Sequence, residues 1–297
     1  MGARSEHDTM INRLCIIGVG LIGGSLARAL RKANAVNEIV GCGRNEGSLR
    51  RAVEIGVIDS YSLDMAQAVH GADMIVIAVP VGSMGEVFRT IVPAADKNAV
   101  ITDVGSTKES VVEAAITACG HLPTNFVPGH PIAGTERSGV ESSFAELYHR
   151  RRVILTPLPE TNPQAVEKVR AMWETAGAEV ESMEVHHHDE ILAATSHLPH
   201  ILAFGLVDSL ARMEDKREIF RYAAGGFRDF TRIASSDPQM WTDICLANRT
   251  ALLQMLGHFA EDLAGITAAI DKGDGEHLRK VFQRAKAARD RFCETNN

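Results

Sequence analysis

The chain has 297 residues, 45% of them hydrophobic and 23% charged, with a formal net charge of -7. That length suits about two domains with their own cores, and the balance excludes a disordered or fibrous protein. An acidic chain is a poor match for a phosphate backbone, so nucleic acid is not an expected partner. Cys15, Cys42, Cys119, Cys245 and Cys293 lie far apart with no Cys-x-x-Cys pair, which points to reduced, mostly buried thiols and a cytoplasmic setting. The opening MGARSEHDTM has no apolar signal-peptide core, and Glu6 stands where a myristoylation motif wants Ser or Thr. Residues 1–10 read as a flexible tail, and no run reaches the ~18 apolar residues of a membrane span.

In chain order, Arg13–Ile17 reads as a buried strand that runs into Gly18-Val19-Gly20-Leu21-Ile22-Gly23-Gly24-Ser25 and the helical Leu26–Leu30. Strand, Gly-x-Gly-x-x-Gly, helix is the pattern of a dinucleotide-binding unit. Gly18 permits the tight turn, Gly20 lets the backbone approach a pyrophosphate, Gly23 allows close helix–strand packing, and the helix start at Leu21 and Ile22 stabilises the phosphate charge. A second strand, Glu38–Cys42, ends in Gly43-Arg44-Asn45 without the carboxylate that would bind the ribose 2′-hydroxyl of NAD. Room and positive charge at Arg44 favour NADP over NAD; the alternative is that Arg44 stacks on the adenine or faces water and NAD is accepted.

A helix over Ser48–Ile55, a short strand at Val57-Ile58 and the apolar Met74–Val79 before Pro80 follow, and such continuous apolar runs suit strands covered on both faces. Ala99–Thr102 leads into Asp103-Val104-Gly105-Ser106-Thr107-Lys108 and a helix to Cys119. Phe126-Val127-Pro128 delivers His130, Arg152–Thr156 adds a strand, and a helix over Pro163–Ala176 and an edge strand over Glu179–Met183 finish the sheet. Open α/β sheets bind ligands beyond the carboxyl ends of their strands, the rim where Gly18, Gly43, Val79-Pro80, Ser106 and His130 belong. Between Gly129 and Pro131, His130 has little backbone freedom, so its ring direction is set by the fold, as a proton acceptor requires. A histidine satisfied in a turn is the plainer alternative, and Ser106 alone reads equally as a helix cap.

From Val185 the strand signal disappears and amphipathic helical segments take over, the first from about Asp189 to Met213. His197 and His200, three apart, share one face of it. His186, His187 and His188 point in different directions with no ligand cluster beside them, so they read as a solvated helix start, and no metal is expected. Ala224–Arg232 reads as a loop in which Arg228 or Arg232 either pairs with Asp229 or clamps a carboxylate. Helices over about Thr242–Ala268 and Glu276–Arg291 carry wide apolar faces that call for a partner surface, hence a homodimer. The expected fold is α/β: a Rossmann-type doubly wound domain over 11–184, followed by an all-helical substrate and dimerisation domain over 185–297.

Five ordered motifs, the glycine loop, Asp103–Lys108, Gly129–Glu136, Ser196-His197-Leu198-Pro199-His200 and Gly226–Arg232, together resemble the prephenate/arogenate dehydrogenase family of tyrosine biosynthesis, from about Arg13 into the terminal helices. The resemblance implies NAD(P)-dependent oxidative decarboxylation of a cyclohexadienol, with His130 accepting the hydroxyl proton and Ser106 bonding both that hydroxyl and the histidine. It also implies that Arg232 clamps a substrate carboxylate, that His200 and His197 line the side-chain end of the pocket with Thr135 and Arg228 nearby, and that Glu136 joins an ionic network at the mouth. The chain ends near Asn297 without room for the extra regulatory or mutase domains of some members, so feedback by tyrosine would act at or near the active site. Rival readings are a hydroxyacid or imine reductase of the same Rossmann-plus-helical plan, disfavoured because Lys216, Lys272 and Lys280 fall in or beside loops or helix ends, and a non-catalytic dinucleotide sensor.

Overall fold

A computed structural model describes residues 10–135 and 137–295. Of the expected tail, residues 1–9 lie outside the described residues, as does Glu136.

β1 (Ile11–Ile17), β2 (Val36–Cys42), β3 (Ser60–Ser62), β4 (Met74–Ile77), β5 (Val100–Asp103) and β6 (Phe126–Val127) form one sheet in the order β3-β2-β1-β4-β5-β6. All of its pairings are parallel, with Leu14 opposite both Ile39 and Met74. The apolar residues of β1, β4 and β5 are buried because helices cover both faces. One face packs on α1 (Leu21–Lys32) and α6 (Pro163–Thr175), through Leu26, Leu30, Val169 and Trp173. The other packs on α3 (Met65–Val69), α4 (Met84–Ile91) and α5 (Glu109–Cys119), through Val69, Phe88 and Val111. Between β2 and β3 runs α2 (Glu46–Glu54), capped by Asn45, whose side chain accepts from the Ser48 amide.

Two details of the strands differ from the sequence reading. The strand expected at Val57-Ile58 lies at Ser60–Ser62; Val57 and Ile58 are buried in the turn after α2, where Gly56 takes a left-handed φ of +69°. The late strands do not extend the first sheet either. β7 (Gly129–Pro131), β8 (Arg152–Leu155) and β9 (Glu179–Ser182) make a second sheet in which β7 is antiparallel to β8 and β8 parallel to β9. Pro128, between β6 and β7, has no N–H with which to continue the first ladder, and its carbonyl accepts the Thr156 amide at 2.9 Å.

Helices follow from Val185: α7 (Val185–Leu192), a π-turn over Ala193–His197, α8 (Leu198–Ala211), α9 (Lys216–Arg221), α10 (Gly225–Thr231) and α11 (Pro238–Ala247). The first helix starts four residues before the expected Asp189, and its cap is Glu184, which accepts the His187 amide. Pro199 cannot donate to the carbonyl four residues back, which accounts for the widened turn before it. By length and a mean hydropathy of 1.3, Val185–Ala211 passes as a membrane span, against the expectation that no run would. Its inward polar side chains, His188, Asp189 and His197, are bonded to protein groups, as in a helix whose partners are protein rather than lipid. The segment read as a loop at Ala224–Arg232 is α10 followed by a tight turn over Arg232–Ser235. Its two glycines occupy the first turn of the helix, where the amides need no intrahelical partner.

By contacts the chain divides into compact units 1–249 and 250–297. The second unit consists of α12 (Arg249–Asp271) and α13 (Gly275–Thr295), with Leu253, Leu263, Ile270, Phe282 and Phe292 exposed.

Candidate active site

The glycine loop has the shape that its residues dictate. Gly18 has a φ of +100°, and a Cβ there would fall 2.2 Å from the carbonyl oxygen of Ala78. A Cβ on Gly23 would meet the Gly18 carbonyl oxygen at 2.5 Å, while one on Gly20 would meet nothing within 4 Å. Two glycines therefore serve packing and the third keeps the approach to α1 clear. α1 begins at Leu21 with no side-chain cap and no acidic residue in its first turn, so the amides of Leu21, Ile22 and Gly23 and the positive end of the helix suit a pyrophosphate. The side chain of Val79 comes within 3.1 Å of the Cβ position of Gly18, which sets Val79 and Pro80 beside the loop. Arg44 is exposed beyond the end of β2. The next acid along the chain, Glu46, is occupied by the Tyr61 hydroxyl at 3.0 Å and by Arg50 at 3.1 Å.

His130 stands on β7, opposite Ile154 of β8, and is 8% exposed. Its Nδ1 lies 2.9 Å from Nε2 of His188, whose Nδ1 lies 2.7 Å from Oδ1 of Asp189. Asp189 also accepts the amides of Lys108 at 2.8 Å and Glu109 at 2.9 Å, and so closes the N-terminus of α5. Burial, then the neighbouring His188, Lys108 and His197, holds His130 well below the usual histidine range. Burial also lowers His188. For Asp189, burial raises the carboxyl, but the bonds from His188 and the two amides outweigh it, and the net shift is downward. The site therefore pairs neutral imidazoles with an ionised carboxylate.

Ser106 is half-buried between β5 and α5, but no hydrogen bond joins its hydroxyl to His130 or to any other group among the described residues. The direct serine–histidine bond expected from the resemblance is absent, and so is the capping role, which Asp189 fills. His197 and His200 come together as the spacing predicts, both against the Trp241 indole. The His200 ring stacks at 3.7 Å and 20°, and His197 meets the indole edge-on at 6.1 Å. His197 is buried, with Nδ1 3.0 Å from the Asn248 amide nitrogen, and burial lowers its pKa to about 4. His200 donates from Nδ1 to the Ser196 carbonyl at 2.8 Å; burial and then the positive charge of Arg232 lower its pKa, so Arg232 is a close neighbour.

The remaining expected substrate residues that are described, Thr135 and Arg228, are both exposed. Thr135 is exposed, with Oγ1 accepting the Arg137 amide at 3.2 Å. Arg228 is exposed on α10, and its side chain makes no hydrogen bond or ion pair, with Asp229 or otherwise, among the described residues.

Sequence reasoning missed His188 and Asp189. His186 and His187 are indeed exposed, but His188 and Asp189 are fully buried. The signal was helix phase: with a start at Val185, positions 188/189 and 192/193 fall on one inward stripe.

Two family models match the chain: the prephenate dehydrogenase nucleotide-binding domain over residues 26–182 and the prephenate dehydrogenase dimerization domain over 184–284. The cyclohexadienyl dehydrogenase of Zymomonas mobilis is 40% identical over 284 residues, covering 95% of this chain and 96% of that one. The crystal structure of prephenate dehydrogenase from Aquifex aeolicus, in complex with hydroxyphenyl propionate and NAD+, superposes with a TM-score of 0.88 at 36% identity, over 95% of this chain and 98% of that one. Synechocystis arogenate dehydrogenase gives a TM-score of 0.79 at 26% identity, over 94% and 99% of the two chains. With both halves matched and a 40% identical relative spanned almost end to end, the chain belongs to the prephenate/arogenate dehydrogenase family of oxidoreductases.

Proposed function

We propose that this enzyme catalyses the NAD(P)-dependent oxidative decarboxylation of prephenate, arogenate or both, giving 4-hydroxyphenylpyruvate or tyrosine, with His130 as the base. The observation that carries this reading is a buried, neutral imidazole on the strand next to the glycine-loop sheet, bonded among the described residues through Nδ1 only. A bound dinucleotide supplies the hydride acceptor for the ring carbon that bears the hydroxyl, while the ring carboxylate leaves as carbon dioxide and the ring becomes aromatic. His130 takes the hydroxyl proton at Nε2, which requires the neutral ring. Ser106, whose hydroxyl is uncommitted, orients the substrate hydroxyl. Arg232 binds a substrate carboxylate with His200 beside it and His197 behind, supported by the mutual proximity of these groups. Thr135 and Arg228 act at the periphery, with Glu136 at the mouth.

NADP is the favoured cofactor in this reading. It is supported by the exposed Arg44 and by Glu46 being held by Tyr61 and Arg50 rather than free for a ribose. Residues 185–297 serve substrate binding and homodimerisation, supported by the exposed apolar side chains of α12 and α13 and by the family to which the chain belongs. Tyrosine, which shares the product's ring, inhibits at the active site, and the enzyme works in the cytoplasm.

The deciding experiment replaces His130 by Asn. Turnover should vanish while dinucleotide affinity is kept, and an unchanged rate would remove His130 as the base. Assays crossing both substrates with both cofactors decide preference, and a higher kcat/KM with NAD would refute the NADP reading.

A further inference from the structure

Resting on the reading of His130 as base, we propose that His188 and Asp189 are positioning residues that fix which ring nitrogen of His130 is free to accept the substrate proton. An ionised carboxylate only accepts, and Asp189 takes three donors, the amides of Lys108 and Glu109 and the Nδ1–H of His188, at 2.8, 2.9 and 2.7 Å. Its place at the N-terminus of α5 favours the anion further. His188 therefore carries its hydrogen on Nδ1 and, being neutral, presents a lone pair at Nε2. That lone pair lies 2.9 Å from Nδ1 of His130, so His130 must donate from Nδ1. Its own lone pair is then at Nε2, the nitrogen that has no hydrogen-bond partner among the described residues.

The Asp189 backbone is anchored as well. Asn248 Nδ2 donates to the Asp189 carbonyl at 2.8 Å and reaches His197 Nδ1 at 3.0 Å, which uses both hydrogens of that amide. The charged and titratable groups facing the relay are Lys108, ion-paired to Asp103, together with His197. Lys108 and the histidines oppose a cation at His130, whereas Asp189 supports one. When Nε2 of His130 takes a proton, one N–H bond forms there and the substrate O–H bond breaks. The two existing hydrogens stay on the Nδ1 atoms, and the imidazolium then stands two hydrogen bonds from a carboxylate. A catalytic triad uses its aspartate in the same way, to hold tautomer and orientation and to stabilise the cation.

Asp189→Asn keeps the shape but removes the acceptor that imposes the tautomer. It should lower kcat by roughly 10²- to 10⁴-fold, by analogy with a triad aspartate, and leave dinucleotide affinity unchanged. It should also move the acid limb of the kcat/KM profile to lower pH, because the imidazolium loses its counter-charge. A mere helix cap would leave that limb where it is, so a lowered plateau with an unmoved limb overturns the proposal, as does a wild-type rate. Should Asp189→Asn fail to fold, ¹⁵N NMR of the wild-type enzyme decides: His130 should be protonated at Nδ1 at neutral pH, and an Nε2–H tautomer overturns the relay. His130→Asn separates the two claims. If it is inactive while Asp189→Asn retains full rate and limb, the relay fails and the base stands; if it is active, the base itself fails.

Discussion

Lys108 Nζ donates to the carbonyl oxygen of Gly129 at 2.7 Å, and Asp103, the ion-pair partner of Lys108, accepts the Gly129 amide at 3.1 Å. A fully buried charge pair thus holds both backbone groups of the residue that precedes His130. Lys108→Met would remove the counter-charge of the buried Asp103 carboxylate, leaving it only the Gly105 and Gly129 amides, and would take the Lys108 donor from the Gly129 carbonyl. Breaking a buried pair from one side costs about 3–5 kcal/mol. Denaturant unfolding should show a loss of that order, together with reduced kcat from a displaced His130; a loss under ~1 kcal/mol would mean that the pair does not hold this strand.

Gly23 and Gly20 should separate cleanly. Gly23→Ala places a methyl 2.5 Å from the Gly18 carbonyl oxygen and 2.8 Å from Ile16, and overpacking against backbone costs about 1–3 kcal/mol of stability. Gly20→Ala meets nothing in the protein, so stability should stay within about 0.5 kcal/mol. The added methyl stands where the pyrophosphate approaches, and the dinucleotide Kd should rise about tenfold, the equivalent of ~1.4 kcal/mol. Thermal unfolding and cofactor titration check both, and unchanged affinity in Gly20→Ala would argue against a pyrophosphate there.

Three buried histidines, His130, His188 and His197, have pKa values below the ordinary value of 6.5. Between each folded value and 6.5 the unfolded chain binds more protons than the native one. Stability therefore rises with pH across that window and is lost as pH falls from about 6.5 towards the folded values. The slope is at most ~1.4 kcal/mol per histidine per pH unit. Urea midpoints taken from pH 7 down to 5 should fall steadily. The acid limb of kcat/KM should lie below pH 6.5, and a limb at or above it would show that His130 is not held neutral in the free enzyme.

Arg232 presses on His200 electrostatically. Arg232→Ala should raise KM by one to several orders of magnitude, consistent with the loss of a charged hydrogen-bonded contact, and should raise the His200 pKa, read by NMR titration. Wild-type KM would exclude the carboxylate clamp.

The amino-acid sequence by itself determined the glycine loop, the covered parallel strands and the place of Ser106 just beyond the end of β5. Each of these rests on short-range rules, a 2.0 or 3.6 period and the steric freedom of Gly18, which act within a few residues. It also placed His197 and His200 on one face, because three positions along a helix settle that. Tertiary structure alone decided the relay, since His130 and His188 are 58 residues apart and Lys108 and Asp189 81 apart, and no local pattern encodes such a meeting. The phase of α7 turned on one cap, Glu184, and a start displaced to Asp189 rotates the histidine run towards solvent. The second sheet was likewise beyond periodicity, because apolar alternation specifies a strand but not its partner, and Pro128 closed the first ladder to β7.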